Sequence, residues 1–229
     1  MRLLILRLEG PLQSWGERSK WDDRDTASMP TKSGVVGMLA CCLGLVRSDG
    51  EIEALHKHLS VSFRADRPGK LMSDFQTIRA PRLMTAEGGY RAADKSTIIS
   101  NRQYLQDAVF LCVVASDDAS LLNRISGALH HPKWIPFLGR KCCAPTCPVL
   151  AADTDEYASV EDALRRFPLL PRADQSQDAI LAQMEDENGI HVRNDHLTDA
   201  AERKFVARRV RYITLPKGEW HCVSVAIDA

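Results

Sequence analysis

Residues 2–8 (RLLILRL) are apolar at nearly every position, as expected of a strand covered on both faces, and Gly10-Pro11 ends it. A polar loop runs to Pro30. Thr31 or Ser33 can then cap a helix carrying Val35, Val36, Met38, Leu39 and Leu43. Gly34, Gly37 and Gly44 lower the propensity of that helix, so they are expected to serve a close backbone approach. A short helix is predicted over 51–59. Strands over 61–65 and 71–77 meet across Pro68-Gly69, a hairpin signal. Residues 108–115 alternate cleanly, with Val109, Leu111 and Val113 on one face and Phe110, Cys112 and Val114 on the other. Residues 118–131 place Leu121, Leu122, Ile125 and Leu129 on one side of a helix. The order strand, helix, strand, strand, helix points to an α+β fold of the ferredoxin-like (RRM-like) kind.

Two segments exceed that minimal domain. Residues 78–102 form a polar insertion between strands, and a connection that long is uncommon without a function. It holds Arg79, Arg82, Arg91, Lys95 and Arg102, with Gly88-Gly89 near its middle, as in a protruding arm with a turn at its tip. The Pro-rich stretch 131–148 reads as a link from an N-terminal domain, 1–148, to a β-rich extension, 149–229. Strands are expected there over 205–215 and 220–227.

Length and composition exclude several classes. The chain has 229 residues, 45% of them hydrophobic and 26% charged, which fits a globular protein and not a disordered one or a coiled coil. No run approaches the ~18 consecutive apolar residues of a membrane span. Arg7 and Glu9 interrupt what a signal peptide would keep apolar. Thirty basic residues balance thirty acidic ones, so a uniformly cationic coat is ruled out. The charge is uneven, however. Residues 151–188 hold ten acidic and three basic residues, whereas 202–217 hold six basic and one acidic. One cationic face is therefore compatible with zero net charge. Seven cysteines, several in apolar runs, fit a reducing cytoplasm better than a disulfide framework.

Candidate chemistry is sparse. Cys143-x₃-Cys147 has no second pair of the kind structural zinc needs, so no metal and no cofactor is expected. The seven histidines fall in no catalytic frame; His191 or His196 with Lys204 or Tyr212 is the only acid–base grouping to be entertained. Thr31, Lys32 and Ser33 at a helix start form a natural phosphate seat, although no Walker loop is present. Trp15, Trp21, Tyr90, Tyr104 and Trp134 lie among basic residues or in loops, a pattern suited to stacking with unpaired RNA bases.

Five blocks taken together are more specific. They are LRLEGPLQSWG (6–16) with R-x-T (24–26), PTKSGVVGMLACCLG (30–44), YLQDAVFLCVV (104–114), PFLGRKCCAP (136–145) and VRNDHLTDAAERKFVARRV (192–210). The last contains R-x-D followed by R-x-F-x-x-R-x-V. Across almost the whole chain these blocks resemble the CasD family of type I-E CRISPR Cascade complexes, within the repeat-associated RNA-binding superfamily.

That resemblance implies a ferredoxin-like palm, an arginine-bearing β-hairpin thumb within 78–102 and a small C-terminal part. It implies a single copy that grips the 5′ handle of the CRISPR RNA and caps one end of the complex beside the backbone subunit CasC and the large subunit CasA. Target DNA is then met through the complex, with sequence read by the guide. It also implies no catalysis, since a separate nuclease, CasE, cuts the repeat; a metal-independent endoribonuclease is the alternative. The expected RNA-facing residues are Ser14, Trp15, Arg24, Lys32, Ser33, Arg79, Arg82, Lys95, Arg102, Tyr104, Arg140 and Lys141, with Trp15 stacking or propping its loop. Arg193 and Asp195 are not expected to touch RNA.

Overall fold

The structure is a computed structural model, described for residues 1–18, 22–85, 87–92 and 97–216. Its backbone is a seven-stranded sheet. The strands are β1 (Leu3–Glu9), β4 (Ser60–Arg67), β7 (Val109–Ala115), β8 (Leu150–Thr154), β9 (Ala179–Glu185), β10 (His191–Asp199) and β11 (Lys204–Pro216), in the order β10-β11-β9-β4-β7-β1-β8. Every pairing is antiparallel. The helices α1 (Lys32–Leu43), α2 (Glu51–His58) and α3 (Ala119–His130) pack on one face, and α4 (Val160–Arg166) on the other.

The two-residue period of the central strands divides the core. Leu4, Leu6 and Leu8 of β1, with Phe110, Cys112 and Val114 of β7, meet α1, α2 and α3. Leu3 and Ile5, with Val109, Leu111 and Val113, meet Ala163 and Leu164 of α4. This is why residues 2–8 are apolar throughout: both faces of the strand are covered. Under α4 lies a buried ion pair. Arg64 grips Asp66 at 2.6 and 2.9 Å and also donates to the carbonyls of Leu164, Phe167 and Pro168, which satisfies the end of the helix.

A second sheet holds β2 (Leu12–Gln13), β3 (Asp23–Arg24), β5 (Lys70–Arg79) and β6 (Thr97–Gln106). Here the expected hairpin across Pro68-Gly69 is corrected. β4 pairs with β7 and β9, whereas β5 pairs along its whole length with β6. The chain turns at Gly69 (φ +76), where a Cβ would stand 2.7 Å from the Gln106 carbonyl oxygen. The returning strand crosses back beside it at Asp107 (φ +54). Both strands leave the main sheet at one corner, and the long hairpin β5–β6 projects from it. The insertion expected over 78–102 is therefore only the outer part of an arm that begins at Lys70 and ends at Gln106.

The stretch after α3 folds back on the main body. Lys133 donates to the Cys42 carbonyl, Ser14 donates to Leu138, and Thr146 donates to Glu9. It delivers β8 to β1, and β9 to β11 extend the same sheet beyond β4. Residues on both sides of 148 thus share one sheet. The strand expected over 220–227 lies outside the described residues.

Candidate nucleic-acid interface

The site is built around the start of α1. Thr31 caps the helix by accepting from the Gly34 amide at 3.1 Å. The Lys32 amide donates to Asp195 at 2.7 Å, and Asp195 also receives Arg208 at 2.6 and 2.9 Å. Lys32 itself is only 3% exposed, with its ammonium 3.1 Å from Glu185. Burial pulls the Lys32 pKa below its ordinary value. Burial pushes the Asp195 carboxyl up, but the Arg208 hydrogen bonds and charge outweigh it and hold the group below the usual range. The phosphate seat read from Thr31, Lys32 and Ser33 is thus filled by the protein's own carboxylate, brought from β10 by the tertiary fold.

The R-x-D pattern is the other half of this joint. Arg193 ion-pairs with Glu17 and approaches the carbonyls of Met29 and Pro30, tying β10 to the loop before α1. Arg208 is the second arginine of the R-x-F-x-x-R-x-V pattern. Both motifs lock the C-terminal hairpin onto α1.

Trp15 is 1% exposed and donates its indole N–H to Gln13 at 3.1 Å. It lies against Gly34, where a Cβ would come within 2.7 Å of the indole ring. Its place is that of a prop and not of a free stacking platform. Ser14 donates its hydroxyl to Gln103 and its amide to Leu138. Gly139 (φ +87) crosses so close that a Cβ would sit 1.7 Å from the Ser14 carbonyl oxygen. Arg140 points inward as a strut. It donates to the carbonyls of Gln103 at 3.0 Å and Arg24 at 2.9 Å and lies 4.7 Å over the buried Tyr104 ring. Arg24 is exposed on β3, paired with Arg102 of β6.

Between α1, the 14–16 loop, the 134–141 segment and the β10–β11 turn lies a cleft of about 620 Å³. Ser14, Trp15, Ser33 and Lys141 reach its wall. Arg47, Arg203 and Phe205 line it as well, and sequence reasoning did not single them out. The sequence marked the last two only as the R and F of the R-x-F-x-x-R-x-V pattern within the basic run 202–217; nothing marked Arg47. Trp134, 42% exposed, stands at the lip. Among the described residues no carboxylate lines this cleft, and Gly37 leaves open space along α1.

Arg79, Arg82 and Arg102 belong to the β5–β6 arm and not to the cleft. Arg82 stacks 4.1 Å over Tyr90, and Arg102 donates to Ser100 at 3.3 Å. Leu71, Phe75 and Ile99 are exposed on the same arm. Lys95 and Trp21 lie outside the described residues.

Among the described residues His56 is the one histidine that lines the cleft. His191 packs edge-on against Tyr212, while His196 packs against His56 and Lys204 pairs with Glu202. His56 accepts from the Leu197 amide at 3.3 Å, and burial pulls its pKa down to about 3. Among the described residues no His, Cys, Asp and Glu cluster could hold a metal ion; Cys142 and Cys143 touch at 4.0 Å. No described helix is long and apolar enough to cross a membrane.

Comparison with known proteins decides the family, because one family model matches residues 3–211. The chain belongs to the CRISPR-associated protein (Cas_Cas5) family. It is 28% identical to the CRISPR system Cascade subunit CasD of Escherichia coli (strain K12), over 98% of this chain and 97% of that one. It superimposes on a chain of a CRISPR RNA-guided surveillance complex with a TM-score of 0.75 and 33% identity, covering 95% and 92% of the two chains. A solved Cas protein gives 0.72 and 34%, covering 95% and 97%. In this Cas_Cas5 protein the matched span includes α1, the cleft and the Asp195–Arg208 joint.

Proposed function

We propose that this protein is a subunit of a type I-E CRISPR Cascade surveillance complex that binds the 5′ handle of the CRISPR RNA. The observation that carries the reading is the cleft. It combines Arg47, Lys141 and Arg203 with Trp134 and Phe205 and, among the described residues, has no carboxylate. Cations interleaved with aromatic faces suit a single strand, whose phosphates and unstacked bases are both available. Kinship to a Cascade subunit supports the same reading.

In this reading the strands β1, β4, β7 and β8 with α1 and α3 are the ferredoxin-like palm, supported by the spatial order β8-β1-β7-β4. The β5–β6 arm is the thumb. Its exposed Leu71, Phe75 and Ile99 suit contact with a neighbouring subunit such as CasC, and Arg79, Arg82, Lys95 and Arg102 suit the RNA held there. Ser33 and Lys141 face RNA in the cleft, while Ser14, Trp15, Lys32, Tyr104 and Arg140 shape it and Arg24 extends it towards the arm. The part up to 148 supplies most of the RNA-binding surface, and 149–229 is the extension that braces it and adds Arg203 and Phe205 to the cleft. The subunit caps the backbone near CasA, meets target DNA through the complex, works in the cytoplasm and cuts nothing.

The test incubates purified protein, alone and co-assembled with its Cascade partners, with labelled repeat RNA in EDTA. The repeat is supplied intact and cut to leave the 5′ handle. Binding of the handle without cleavage is the expected result. Specific cleavage in EDTA would transfer the assignment to a metal-independent endoribonuclease.

A further inference from the structure

The turn between β10 and β11 holds one residue in an unfavourable backbone state. Arg203 has φ +56, a left-handed conformation that side-chain-bearing residues rarely adopt. The turn is pinned from several sides. The Ala200 amide donates to Glu53 of α2 at 2.7 Å, the Glu202 amide donates to Asp199 at 2.7 Å, and Lys204 pairs with Glu202. Arg203 is thereby delivered to the cleft wall, 5.6 Å from the Phe205 ring. The segment after α1 brings Arg47 to the same cleft. Among the described residues, neither guanidinium has a hydrogen-bond or ion-pair partner. Burial, and after it the like charge of Arg47, lowers the Arg203 pKa. Two like charges facing one open cleft repel each other, and a shared anion relieves both.

Resting on the handle-binding reading, we propose that Arg47 and Arg203 clamp a single phosphodiester of the bound RNA while Trp134 and Phe205 stack its flanking bases. The clamp reads the backbone and the stacking tolerates any base, so this cleft fixes the position of the strand and not its sequence. A volume of about 620 Å³ suits a unit of one or two nucleotides.

The test measures handle-RNA affinity of the full chain in its Cascade assembly against salt. It compares wild type, Arg47→Gln, Arg203→Gln, the double variant, Arg203→Lys and Arg166→Gln. Arg166 pairs with Asp162 outside the cleft and controls for loss of charge alone. Each cleft Gln variant is expected to bind about tenfold or more weakly, with a salt slope shallower by about 0.7, the value for one single-strand phosphate contact. The double variant is expected to lose little more than either single one, and Arg203→Lys to fall between. A scan with one methylphosphonate per RNA is expected to find one linkage whose neutralisation weakens wild type and leaves the double variant unaffected. Thermal melts confirm that each variant is folded. Handle binding in which no linkage couples to the two arginines, or losses equal to that of Arg166→Gln, would overturn the clamp while leaving the handle reading intact. No handle binding by the wild-type assembly would overturn the handle reading, and the clamp with it.

Discussion

Asp195 and Arg208 face each other between β10 and β11 through two hydrogen bonds of 2.6 and 2.9 Å, and the same carboxylate accepts the first amide of α1 from Lys32. One buried side chain thus joins the C-terminal hairpin to the helix that floors the cleft. Asp195→Ala removes both hydrogen bonds of the buried Arg208 guanidinium, which keeps Glu185 at 3.6 Å, and takes the acceptor from the Lys32 amide, at a cost of about 3–5 kcal/mol. A fall in Tm of roughly 6–20 °C is expected for a chain of this size. The sign with pH follows from the depressed Asp195 pKa. Its contribution is complete above the ordinary carboxylate range and is lost as pH falls below about 4 through the folded value. Urea titrations at pH 7 and pH 3 check both points; an unchanged midpoint in Asp195→Ala would refute the joint.

His56 supplies a second, separate pH response. It is buried and accepts a backbone hydrogen bond, so its folded pKa, about 3, is far below the unfolded one. The unfolded chain therefore binds the proton first, and stability falls as pH drops below about 6.5, by up to ~1.4 kcal/mol per unit. His56→Asn keeps an acceptor and removes the titration. Its stability is expected to vary less than that of wild type between pH 6.5 and 4.5, as read from denaturation midpoints.

Gly34 and Gly37 lie one turn apart on α1 but have opposite surroundings. A Cβ at Gly34 would press within 2.7 Å of the Trp15 ring and 2.9 Å of the Thr31 cap oxygen, whereas one at Gly37 would meet nothing within 4 Å. Gly34→Ala is expected to destabilise by about 1–3 kcal/mol through overpacking. Gly37→Ala is expected to stabilise by up to ~1 kcal/mol through helix propensity. Because Gly37 lines the cleft, the same substitution is expected to weaken handle binding. Melting curves beside RNA titrations separate the two effects.

Phe75 is 64% exposed at the middle of the β5–β6 arm. Phe75→Ser is expected to change folding stability by no more than about 0.5 kcal/mol. If the arm is the thumb, the variant should nevertheless co-purify poorly with its Cascade partners. Full recovery of the assembly would remove the apolar face of the arm from the contact.

Arg140 is expected to behave as a strut and not as a surface cation. Arg140→Lys keeps the charge but loses the planar fork that reaches Gln103 and Arg24 and covers Tyr104. It should lower Tm measurably at every salt concentration. A variant that changes only the salt dependence of RNA binding would show instead that the guanidinium meets phosphate.

Local pattern was a good guide wherever neighbours in sequence decide the outcome. The apolar run 2–8, the alternation over 108–115 and the amphipathic helix over 118–131 each stand where they were read, the last with Asp118 as its cap. Pro68-Gly69 does mark a turn, but a turn residue fixes only the direction of the chain. Which strand β5 pairs with depended on β6, some thirty positions further on. Likewise, a lysine at a helix start reads as an anion site until another element supplies the anion. Asp195 does so from 163 positions away. Arg47 carried no mark at all, because what makes it notable is the approach of Arg203 across the cleft.

The sequence by itself determined β1, α1, α2, β4, β7, α3 and β11, the division of apolar residues between two sheet faces and the family pattern, since these depend on period, capping and local spacing, while β6, β8, α4, β9 and β10 went unread. Only the tertiary structure decided which charges are spent inside the protein and which stay available to a ligand. Lys32, Arg140, Arg193 and Arg208 are held by partners within the chain, whereas Lys141, Arg47 and Arg203 line the cleft. A charge is neutralised by whatever the fold places within a few ångströms of it, and linear sequence does not record that distance.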